Sequence, residues 1–152
     1  MRTVYLLAIF VLLTSKVNSE LIKPNVTIEP YKVIQIQLSA LQNNDIPYKN
    51  AGIEQTWEFA HPSNRMFTGP LKRFTDMMYS PSYFIMLNHQ KHEIVEVKLE
   101  DKMSYYFIEL TDISGNKYGF QWILEKVLNE SIYNNCWMTT SVSKPMPLAK
   151  SS

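Results

Sequence analysis

The stretch His92–Thr111, HEIVEVKLEDKMSYYFIELT, decides the fold. Val95, Val97 and Leu99 alternate with Glu96, Lys98 and Glu100, a period of about two that belongs to a strand with one wet face. Asp101-Lys102 is a tight connection to a second run, Tyr105 to Thr111, in which aromatic and aliphatic residues occupy both faces. Ser114-Gly115-Asn116 turns the chain again, and Tyr118, Phe120, Trp122 and Leu124 then line one face of a third run. Beyond residues 128–135 a fourth run brings Cys136, Trp137 and Met138. Hairpin connections of this length make the sheet antiparallel.

Upstream of His92 the period is that of a helix. Pro30 opens a helix over 30–43 carrying Ile34, Leu38 and Leu41, which Asn43-Asn44-Asp45 and Pro47 stop. Ile53, Trp57 and Ala60 mark a short second helix that Pro62 interrupts. Thr68-Gly69-Pro70 starts a third, with Leu71, Phe74 and Met78 on one face and a stop at Ser80-Pro81. Helices first and strands afterwards predict an α+β domain over 30–142, three N-terminal helices packed on one face of a curved four-stranded antiparallel sheet that leaves a concave pocket. Residues 20–29 read as a short linker and residues 143–152, with Pro145 and Pro147, as a flexible tail.

Composition narrows the function. The chain has 152 residues, 45% of them hydrophobic and 19% charged, the balance of one globular domain. Its net charge is +1, which gives no basic footprint for nucleic acid. With Gly 4 and Cys 1, glycine-rich phosphate loops, disulfide frameworks and cysteine-based zinc sites are excluded. No motif implies a cofactor. Arg2 followed by the apolar run Val4–Leu13, with Val17 and Ser19 as the small residues of a cleavage site, reads as a signal peptide over 1–19. The run is too short to span a bilayer, so the expected product is a secretory-pathway protein, extracellular and free of the membrane after cleavage. In that compartment Asn25-Val26-Thr27 and Asn129-Glu130-Ser131 are glycosylation acceptors. The lone Cys136, beside Trp137 in a strand, reads as a buried small hydrophobe rather than a reactive thiol.

The wording of several segments is also specific. Gln37-Leu38, Ala40-Leu41-Gln42-Asn43-Asn44-Asp45, Gly52-Ile53, Phe59-Ala60 with Pro62, Asn64-Arg65, Thr68-Gly69-Pro70 and Arg73-Phe74 resemble the signature of a domain-of-unknown-function family, number four-eight-six-four. Tyr83, Leu87-Asn88-His89, Trp122 and Cys136-Trp137-Met138 continue the likeness, which covers about residues 31–142 and is strongest over 37–89. The resemblance implies a cone-shaped α+β fold similar to that of nuclear transport factor two, ketosteroid isomerase and scytalone dehydratase. Enzymes, transport adaptors and ligand binders all use that fold, so the likeness implies no single activity.

Chemistry inside such a cone needs an acid or base held in an apolar cavity. The candidates are His89 at the junction of the helical half and the first strand, Tyr83 six residues before it, and Asp76 on the third helix. Together they would suit isomerase or dehydratase chemistry. His89 and His92 lie three apart, a spacing that in a strand sends side chains to opposite faces, so no metal site is expected. Asn64-Arg65 could clamp a carboxylate or a partner's acidic group, or Arg65 could pair with an internal carboxylate or cap a helix. Trp122 and Trp137 are candidate pocket walls for a small apolar ligand. The reading is therefore a secreted domain that binds such a ligand, or a protein partner, on its cone. The alternatives are an acid–base enzyme and a homodimeric interaction module.

Overall fold

The computed structural model describes residues 20–148; the expected signal peptide over 1–19 and the last four residues, 149–152, lie outside the described residues. Helix α1 (Pro30–Gln42) begins with proline at its first turn, where the missing N–H costs nothing, and buries Ile34, Leu38 and Leu41 at helical spacing. Asn50, in the left-handed region at φ 63°, leads into α2 (Ala51–Glu58). Gly52 lets the two helices touch: a Cβ there would overlap the carbonyl oxygen of Ala40 and lie 2.8 Å from Asn44 Cα.

Pro62, expected to interrupt the second helix, lies beyond its end and opens a further helix, α3 (Pro62–Thr68). The physical reason is the asymmetry of helix ends: proline is excluded from helix interiors but suited to the first position, and His61 completes the cap by accepting the Ser63 N–H on Nδ1. With α4 (Leu71–Met78) the chain thus has four α-helices among the described residues, not three, followed by a 3₁₀ turn at Phe84–Met86. Phe59 and Ala60 leave α2 to lie along the sheet, where Ala60 forms a parallel bridge with Thr139.

The sheet contains β1 (Lys91–Leu99), β2 (Met103–Thr111), β3 (Lys117–Lys126) and β4 (Trp137–Val142), antiparallel and in the order β1-β2-β3-β4. Register pairs Tyr106 with Trp122, Ile108 with Phe120 and Leu110 with Tyr118, which sets these side chains on the helix-covered face. Bulges between Glu96 and Lys98 and between Ile123 and Leu124 add twist to the sheet. The segment read as a loose tail is paired as far as Leu148: β5 (Met146–Pro147) pairs with the first half of β3, leaving β4 the second half, and the Leu148 N–H donates to Lys117 O at 2.9 Å. The prolines that suggested looseness are compatible with a two-residue edge strand. The fold is α+β with an open, curved antiparallel sheet, and no helix among the described residues is long and apolar enough to cross a membrane.

Candidate functional site

Between the helices and the covered face of the sheet lies a cavity of about 90 Å³. Its apolar wall is Leu41, Phe74, Met77, Met86, Trp122 and Val142, and its polar wall includes Gln37, Asn64, Tyr83 and Thr139. Gln37, 1% exposed, gives one amide hydrogen to Thr56 O at 3.1 Å and accepts the Thr139 hydroxyl on Oε1 at 2.7 Å. Thr139 Oγ1 in turn accepts the Trp122 indole N–H at 3.1 Å. This relay ties α1, α2, β3 and β4 together at the cavity wall, and each of its side chains has at least one partner. Asn64 on α3 donates to Thr139 O at 3.3 Å, and the Thr68 hydroxyl lies 3.0 Å from its backbone O and 3.2 Å from its Oδ1. Tyr83 donates to Val142 O at 3.2 Å, and burial pushes its hydroxyl pKa up, so it stays a neutral phenol.

Asn64, Tyr83 and Trp122 are thus brought to one cavity, and the remaining candidates are not. Asp76 lies on the exposed face of α4, where Lys72 one turn earlier pairs with it at 3.1 Å. His89 is 2% exposed and sits outside the cavity wall; its Nδ1 is 2.6 Å from Met86 O and its Nε2 2.7 Å from His92 Nδ1. Tyr83, His89 and Asp76 therefore have three separate sets of partners and no mutual hydrogen bond. The expectation that His89 and His92 diverge is corrected: β1 starts at Lys91, so His89 precedes the strand and its ring is free to turn toward His92. A carbonyl only accepts, so His89 Nδ1 carries hydrogen, its Nε2 is a lone pair, and the His92 Nδ1–H donates to it. Burial lowers the His89 pKa to about 4, with the Met86 carbonyl opposing and the neighbouring His92 adding to the fall. Burial lowers that of His92 as well. The pair has no third ligand: among the described residues no three His, Cys, Asp or Glu side chains cluster for a metal.

Arg65 turns away from the cavity. Its guanidinium donates to the carbonyls of Ala60 at 3.0 Å, Trp57 at 2.8 Å and Glu58 at 3.1 Å, capping the end of α2, and stacks over the rings of Trp57 and Tyr133. Its fork is spent on backbone, so no clamp for a carboxylate remains. Trp137 packs in the main core with Lys126 over its ring at 5.4 Å, away from the cavity wall. Cys136 is 2% exposed against Val127 and Met138, and burial pushes its thiol up. Both sequon asparagines, Asn25 and Asn129, are exposed.

Gln37, Thr139 and Met86 were missed as site residues. Gln37 left a signal, because it falls within the apolar stripe of Ile34, Leu38 and Leu41, where a polar residue must find a buried partner. No protein-family model, no curated protein and no solved structure matches the chain.

Proposed function

We propose that this chain is a secreted domain that binds a small apolar molecule in the cavity between α1, α4 and the sheet, using the helices and curved sheet as a cone of the ketosteroid-isomerase kind. The observation that carries the reading is the wall itself: aliphatic, aromatic and thioether groups surround the space, with a few fixed polar groups at one side. At about 90 Å³ the cavity is smaller than the roughly 150 Å³ that admits benzene in an engineered core. Met77, Met78 and Met86 all border it, and methionine repacks more readily than branched or aromatic residues, so the space can grow around a guest. Native mass spectrometry of the protein purified from secreting cells tests this. A mass present under gentle conditions and lost on denaturation is the expected result. A bare chain that also takes up no small apolar compound would set the reading aside.

A protein partner on the open face of the sheet is the second reading. There Val95 and Val97 are exposed, and Val97, Tyr105, Phe107 and Ile123 border a shallow groove. A second copy of the chain is the simplest partner. Sedimentation over micromolar concentrations would show mass rising toward a dimer if so, and a constant monomer mass if not.

A further inference from the structure

We propose that the cavity selects a neutral, largely apolar molecule that carries a hydrogen-bond acceptor over a purely apolar one, and rejects ions; this rests on the ligand-binding reading above. The orientation of two wall amides points to it. Gln37 Oε1 is occupied by the Thr139 hydroxyl, which fixes the amide so that its nitrogen faces the other way. That nitrogen spends one hydrogen on Thr56 O, and no partner among the described residues takes the second. Asn64 Nδ2 likewise gives one hydrogen to Thr139 O and keeps the second unspent, while its Oδ1 shares the Thr68 hydroxyl with the backbone carbonyl of Asn64. The Trp122 N–H and the Thr139 hydroxyl are used up on one another and on Gln37. The wall therefore has amide hydrogens left to offer.

Charge selection follows from the same wall. Among the described residues, those that line the cavity include no Asp, Glu, Lys, Arg or His, and the one titratable group among them, Tyr83, is a neutral phenol. An ion entering would lose its hydration with no countercharge to replace it. A purely apolar guest would leave the unspent amide hydrogens unpaired, whereas an ether or carbonyl oxygen would pair with them. A site whose polar groups await one partner discriminates against an isostere that cannot supply it.

Three five-membered rings of matched size separate these cases: tetrahydrofuran offers an acceptor, cyclopentane offers nothing polar, and pyrrolidine is a cation at pH 7. The readout is the methyl carbon signal of methionine in labelled protein. Met77, Met78 and Met86 report on the wall, and Met66, Met103 and Met146, which do not line it, serve as controls. At equal concentration tetrahydrofuran is expected to shift the wall signals at least fivefold more than cyclopentane, and pyrrolidinium to leave them in place. Equal or larger shifts from cyclopentane or pyrrolidinium would overturn the selectivity while leaving the cavity a binding site. Silence of the wall signals toward all three rings would overturn the binding reading itself.

Discussion

His89 carries the clearest consequence at the scale of single residues. An unfolded imidazole titrates near about 6.5, and burial brings the folded one to about 4, so between these values the unfolded chain holds a proton that the folded chain lacks. Stability is then fullest above pH 6.5 and falls as the pH drops toward 4. His61 and His92, whose pKa values are lowered mainly by burial, act in the same direction. For His89 alone the loss from pH 7 to pH 4 is on the order of 3 kcal/mol. Urea midpoints across this range should fall for the wild type, with a shallower fall in His89→Phe; equal slopes in the two proteins would contradict the assignment. Its neighbour across the pair shows why the site was only partly legible in sequence. Residue spacing gives direction only inside a regular element, and His89 stands two residues before one. Trp122 and Trp137 both read as pocket walls in the sequence and only Trp122 lines the cavity, while Tyr83 and Asn64, which read as members of an acid–base set and of a carboxylate clamp, lie on its polar side. Thr139 was not legible, since a threonine in a strand reads the same whether its hydroxyl meets water or, as here, a glutamine from a helix 102 residues earlier in the chain.

Elements were legible where periodicity ran long. The change of period at His92 located the strands, and Ile34, Leu38 and Leu41 located α1 within a residue of its end at Gln42. Pro62 was ambiguous in principle, since the same residue stops one helix and starts another, and only the His61 cap and the Ala60–Thr139 bridge separate the cases. The join of α1 to α2 depends on Gly52, whose absent side chain allows the backbone of Ala40 and Asn44 to approach. Gly52→Ala should lower stability by about 3 kcal/mol or more, because the obstruction is backbone and cannot rotate aside. Gly115→Ala, at φ 85° with nothing within 4 Å, should cost about 1 kcal/mol from conformation alone. Denaturant melts of the two variants should rank in that order, and the reverse ranking would refute the packing described for α1 and α2.

For the whole molecule, the helices and sheet enclose a cavity whose wall is mostly apolar, and the polar relay from Gln37 to Trp122 holds four elements around it. The open sheet face and the interior space are separate surfaces, so a partner on one does not preclude a ligand in the other. Xenon tests the interior most directly, because it is apolar, small and visible in a diffraction map. A crystal of this protein pressurised with xenon should show an atom in van der Waals contact with Met86 and Trp122. A collapsed space that admits no xenon at that position would contradict the account.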